Sequence, residues 1–206
     1  MGCSSERTVE GSKSTNNAYP VCRLTIPLSM EVGSLTRLDN KRLILGAKEE
    51  LQLFEGDSKS ITTISKEHTG RINCLIQLSN GKIASGSQDN TIKIWDIEKK
   101  EAIYTLKGHT SIIWDIRELE GNKLISASDD NTSKVWEFNE KKKSYDSFDL
   151  CNSHRHISSI AVLKNNKVIL ATGKILYLYD LKTKKQESFL DIPKGGVWAV
   201  RELSNG

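Results

Sequence analysis

The chain repeats itself. IASGSQDNTIKIWDIE runs from Ile83 to Glu98 and ISASDDNTSKVWEF from Ile125 to Phe138, which places Trp95 and Trp136 41 residues apart. Phe54 lies 41 residues before Trp95, in LILGAKEELQLFE, and Tyr179 lies 43 after Trp136, in VILATGKILYLYD. A second phrase precedes each copy: MEVGSLTRLDNKR from Met30, HTGRINCLIQLSNGK from His68, HTSIIWDIRELEGNK from His109, HRHISSIAVLKNNK from His154, and GGVWAVRELSNG from Gly195. Val32, Ile72, Ile113, Ile157 and Val197 are equivalent, at steps of 40, 41, 44 and 40. The extra residues before Ile157 fall in lysine-rich NEKKKSYDSF, where a loop absorbs them. A period in this range marks a repeat architecture, whose units bury a core only by stacking on one another.

Each unit predicts four short strands. In the second they fall at about 72–78 (A), 82–87 (B), 91–96 (C) and 102–106 (D). Ser79-Asn80-Gly81 and Gln88-Asp89-Asn90 supply turns, with residue types that tolerate tight or left-handed backbone. No stretch sustains a helical period. A four-stranded sheet of this size cannot cover both its faces, but copies stacked around an axis can.

On these residues the chain resembles the WD-repeat β-propeller family, over about residues 21–206. The second and third units carry Gly108-His109, Trp95-Asp96 and the SxDNT turns. The first has Phe54 for Trp and no histidine before strand A. The fourth has Tyr179 for Trp, a shorter B–C turn and no turn aspartate. The expected fold is all-β, an incomplete propeller of four four-stranded blades (about 28–66, 67–107, 108–152 and 153–192) plus strand A of a fifth (193–206). A seven-blade ring would need about 290 residues at this period, so the expectation is a fragment or a half-ring, with open edges prone to self-association. The resemblance also implies a buried network of loop histidine, strand B serine, turn aspartate and strand C tryptophan. Here that gives His68, Ser85 or Ser87, Asp89 and Trp95, then His109, Ser126 or Ser128, Asp130 and Trp136. Carboxylate accepts, imidazole relays, hydroxyl does both and indole only donates. A set that recurs at one period is read as structural, not as a hydrolase triad.

Composition points the same way. The 206 residues are 37% hydrophobic and 27% charged, with a net charge of +4, ordinary for a folded domain and no signature of nucleic-acid binding. No apolar run approaches the ~20 residues of a membrane helix. Cys3, Cys22, Cys74 and Cys151 show no CxxC spacing, so reduced thiols in a cytoplasmic protein are expected. His154 and His156 are read as loop histidines without a metal. No nucleotide or cofactor fingerprint appears, and the reading is of a non-enzyme.

The N-terminus opens Met1-Gly2-Cys3, which makes Gly2 a myristoylation candidate and Cys3 a palmitoylation candidate, although Glu6 stands where the pattern wants Ser or Thr. Residues 1–20 read as a disordered tail. Val21–Ile26 fits an outer strand of the last blade. Lysines cluster in the predicted A–B and C–D turns, at 82, 99–100, 123, 141–143, 167, 182 and 184–185.

The resemblance implies a protein-interaction scaffold. The expected partner surface is the D–A and B–C loop face with the channel mouth: Arg71, Asn73, Gln88, Ile112, Trp114, Asp129, His156, Ser158 and Trp198. Among these, Trp and Arg are the residue types that dominate binding hot spots. A second reading is an adaptor tethered to membrane by its acylated tail and lysine face. A third is the regulatory part of a larger enzyme or ubiquitin-ligase assembly.

Overall fold

The computed structural model describes residues 31–39, 41–193 and 195–202. Residues Gly2 and Cys3 and the segment Val21–Ile26 lie outside them. Among the described residues, sixteen strands form four antiparallel sheets of four, each a meander in chain order. The first sheet holds β1 (Val32–Arg37), β2 (Arg42–Ala47), β3 (Glu50–Glu55) and β4 (Ser60–Ser65). The second holds β5 (Ile72–Gln77), β6 (Ile83–Ser87), β7 (Ile92–Asp96) and β8 (Glu101–Leu106). The third holds β9 (Ile113–Leu119), β10 (Lys123–Ser128), β11 (Thr132–Asn139) and β12 (Ser144–Asn152). The fourth holds β13 (Ser159–Leu163), β14 (Lys167–Thr172), β15 (Ile175–Asp180) and β16 (Lys185–Asp191). The first strands of successive sheets, β1, β5, β9 and β13, lie side by side. The sheets are therefore blades around a common axis, and they do not close into a ring.

The turns between strands follow from residue type. Asn90 and Asn131 take left-handed backbone in the B–C turns, at φ 68° and 69°, which asparagine tolerates better than most residues. Every C–D turn places a lysine in the same region: Lys59, Lys100, Lys143 and Lys184.

The core lies between blades. Ile44 and Leu51 of the first blade pack with Ile72, Leu75, Ile83 and Trp95 of the second. Ile92 and Ile94 pack with Ile113, Ile116 and Trp136 of the third. Ile125 and Val135 pack with Ile160, Val168, Leu170 and Tyr179 of the fourth. Trp95, Trp136 and Tyr179 of strand C thus face the preceding blade, and Trp95 and Trp136 are almost wholly buried. Two glycines set the spacing. A Cβ on Gly46 would come within 2.7 Å of Ile72 Cγ2, and one on Gly86 within 2.6 Å of both Cys74 Sγ and Ile113 Cγ2.

The segment expected as strand A of a fifth unit makes no strand pairing among the described residues, but it docks on the fourth blade. The Val197 amide donates to Gly173 O at 2.5 Å, and Ser158 Oγ donates to Val197 O at 3.2 Å. The Ile72 amide bonds in the same way to Lys48 O, in the B–C turn of the first blade.

Gly86→Ala forces the second and third blades apart. It is expected to lower stability by about 1–3 kcal/mol, the usual cost of overpacking, read as a lower urea midpoint.

Candidate functional site

Two clusters hold most of the sequence-predicted residues. The first repeats in the second and third blades. Trp95 Nε1 donates to Ser85 Oγ at 2.7 Å, and Ser85 Oγ lies 2.7 Å from His68 Nε2. His68 Nδ1 lies 2.7 Å from Asp89 Oδ2. Indole has no lone pair to offer, so the serine must accept from it and pass its own proton toward the imidazole. His68 then carries its proton on Nδ1, facing the carboxylate. Trp136, Ser126, His109 and Asp130 repeat the chain at 2.8, 2.7 and 2.8 Å. Each imidazole also meets its indole edge-on, at 5.8 and 5.9 Å between ring centres.

Of the two serines available in each strand B, only Ser85 and Ser126 enter this chain. Ser87 and Ser128 lie two residues further along on the same face of the strand, at its turn end. Ser87 Oγ accepts from the Asp89 amide and donates to Gly70 O. Ser128 does the same between the Asp130 amide and Ser111 O. They fasten the B–C turn to the D–A loop.

The pairing Ser Oγ to His Nε2 and His Nδ1 to Asp is that of a hydrolytic triad. Burial decides the role. Ser85 and Ser126 are fully buried, and each hydroxyl already accepts an indole N–H, so no acyl carbon can reach it. Both aspartates are held strongly ionised. Burial pushes the Asp130 carboxyl up, but Thr132, the Thr110 amide and His109 together outweigh it and bring it to about 2. Burial likewise opposes ionisation of Asp89, and hydrogen bonds from His68 and Thr91 carry its carboxyl well below the usual range. Burial lowers the His109 pKa, against the pull of Asp130.

The outer blades solve the same problem differently. In the first, Phe54 fills the tryptophan position, and buried Glu50 accepts from Gln52 and Thr63 and pairs with Lys66 of the D–A loop. In the fourth, neither His154 nor His156 is hydrogen-bonded among the described residues. Among those residues, no three His, Cys, Asp or Glu side chains cluster as a metal site would require.

The second cluster is a groove along the inner strands, a cavity of about 300 Å³. Three of the inner strands beside it carry β-bulges. The register of β1 slips between Val32 and Ser34, that of β5 between Ile72 and Cys74, and that of β9 between Ile113 and Asp115. The extra residues are Gly33, Asn73 and Trp114, and a bulge re-aims its extra side chain away from the ladder. Asn73, Trp114, Ser158 and Trp198 line the groove. Asn73 also donates to Ile113 O of the next blade. Trp114 is 38% exposed and Trp198 80%, the reverse of Trp95 and Trp136.

Other predicted partner residues stand away from the groove wall. Arg71 pairs with Glu31 at 3.1 Å. Gln88 and Asp129 are exposed in the B–C turns, and their amides donate to Arg71 O and Ile112 O. Ile112 and His156 are half-buried. The groove adds three residues that the repeat reading missed: Asp115, Arg117 and Arg201. Their signal is the near-identity of Trp114–Leu119 (WDIREL) and Trp198–Leu203 (WAVREL). The lysine-rich turn face is neutralised in part: Lys82, Lys123, Lys142, Lys143 and Lys167 each pair with a carboxylate.

The family profile described as "WD domain, G-beta repeat" matches residues 50–96 and 100–137. Those two stretches, in the first three blades, are similar to WD repeats. The solved chain described as "Structure of U3-55K" has the same fold, with a TM-score of 0.69 at 19% identity. The match covers 82% of this chain and 54% of that one, so this chain spans about half the length of that structure. No curated protein matches the chain.

Ser85→Ala leaves the Trp95 N–H and one His68 nitrogen buried without a partner, and is expected to cost about 2–4 kcal/mol by urea denaturation. Ser87→Ala removes two hydrogen bonds between a buried hydroxyl and neutral main-chain groups and is expected to cost about 1–2 kcal/mol. The pH dependence follows from His109 and Asp130. A histidine whose pKa is lowered on folding binds its proton more readily when unfolded, so stability falls as pH drops below about 6.5. Asp130 adds a second loss from about pH 4 down to about 2, because its depressed pKa stabilises the fold only while it is ionised. Melting temperature, followed by circular dichroism from pH 8 to pH 3, should stay level near neutrality and then decline in these two stages.

Proposed function

We propose that the chain is a protein-interaction scaffold that receives a segment of its partner in the groove along its inner strands. WD repeats support binding to other proteins. The observation that carries the placement is the contrast between its tryptophans. Trp95 and Trp136 are buried and hydrogen-bonded within the blades. Trp114 and Trp198 stand open on one concave surface. An exposed indole offers a large apolar face at little entropic cost to a partner, and tryptophan dominates binding hot spots for that reason. The neighbouring Ser158, Asn73 and main chain can fix orientation by hydrogen bonds.

The scaffold holds the groove in shape. The serine–histidine chains lock the D–A loops of the second and third blades, and the bulges of β5 and β9 present Asn73 and Trp114. Partner binding therefore needs little rearrangement of the protein.

Trp198→Ala tests this. A pool of short peptides of randomised sequence is selected on the purified chain. The wild type should enrich a defined set, and the variant should lose most of it, while the two melt within about 1 °C of each other, as expected for an exposed side chain. Selection of the same peptides by both proteins, or of none by the wild type, would place the function elsewhere.

A further inference from the structure

The charged groups of the groove point to the chemistry of its ligand; this step rests on the scaffold reading above. Its charged lining residues are Asp115, Arg117 and Arg201, two cations against one anion. Asp115 is almost fully buried and already satisfied. Its Oδ2 accepts from the Ile160 amide at 2.9 Å, from Ser159 Oγ at 3.1 Å and from Arg117 Nη2 at 3.1 Å. Arg117 is held in place as well, because its Nε donates to Ile160 O at 3.1 Å. The carboxylate is thus committed to binding the third blade to the fourth.

Arg201 is the surplus charge. Its Nη1 donates to Val200 O at 2.7 Å and to Ser159 Oγ at 3.2 Å, and stands 3.6 Å from Asp115. Its Nε and Nη2 make no hydrogen bond among the described residues, and the side chain is 58% exposed. One edge of a planar guanidinium therefore remains open, anchored from behind by the other. That edge matches a carboxylate with two parallel N–H···O bonds. Trp114 and Trp198 line the same cavity and offer aromatic surface to the apolar residues around such an anion.

We infer that the groove recognises an acidic peptide, with an Asp or Glu carboxylate seated on the open edge of Arg201 and the flanking apolar residues against Trp114 and Trp198. Arg117 adds long-range attraction but is fixed by its own bonds. The binding energy combines a charge-assisted pair with aromatic burial, so both should be needed.

The test takes a peptide from the selection above and measures its affinity for the purified chain by fluorescence anisotropy. Acidic residues should be enriched at one position of the selected set. Replacing that residue by Gln should weaken binding to the wild type by about tenfold or more, the scale of a charge-assisted pair. The same replacement should change little in Arg201→Gln, which isolates the pair as a coupling. Arg201→Lys keeps the charge without the fork and should bind at an intermediate level. Added salt should weaken the acidic peptide more than its Gln counterpart. A selected set without acidic enrichment, or an equal Glu-to-Gln loss in wild type and Arg201→Gln, would overturn the inference and leave the scaffold reading standing. Failure to select any peptide would overturn both.

Discussion

One hydroxyl group in each of the two central blades holds together everything around it. Ser85 and Ser126 each receive an indole proton and pass their own to an imidazole, which passes its proton to an aspartate. Four pieces of chain distant in sequence meet at that point: a D–A loop, strand B, the B–C turn and strand C. None of these polar groups can be hydrated where it sits, and each would destabilise the fold if left alone. Because the tryptophan at one end also packs on the preceding blade, the network couples order within a blade to contact between blades. The loops above the sheet inherit that rigidity, and the groove inherits its shape from the inner strands so positioned.

The same constellation shows how weak residue type is as evidence of chemistry. Serine, histidine and aspartate stand here at the distances used for nucleophilic attack. Replacing an open approach with a buried indole turns a reactive arrangement into a static one. What distinguishes the two is the fourth partner and the solvent, not the three residues.

Much of the fold was legible because a period is a one-dimensional property. The recurrence of Trp95 and Trp136, and the strands around them, needed only the spacing of residues. The choice of Ser85 over Ser87 depended on which position along strand B lies level with the histidine and the indole, because the two serines share a face and the motif alone leaves the choice open. The substitute network of Glu50, Gln52, Thr63 and Lys66 was not legible, because it shares no residue types with the repeat it replaces. Asp115 and the two arginines were missed for a related reason: they act between blades, and a repeat unit describes a single blade. Arg71 looked available to a partner as a type, yet Glu31 lies beside it.

The bulge in the inner strands of the first three blades divides the labour of the repeat. Strands, turns and networks leave little latitude to most positions. The extra residue opposite the ladder has no mate within its own sheet, so neighbouring blades decide what it can be. Gly33 has no room for a side chain, since a Cβ there would meet Ile72 O at 2.4 Å, and Asn73 is tied to Ile113 O of the next blade. Trp114, half open to solvent, is the letter with the most freedom to change, so variation in what the groove reads is concentrated where one blade meets no closely fitted neighbour.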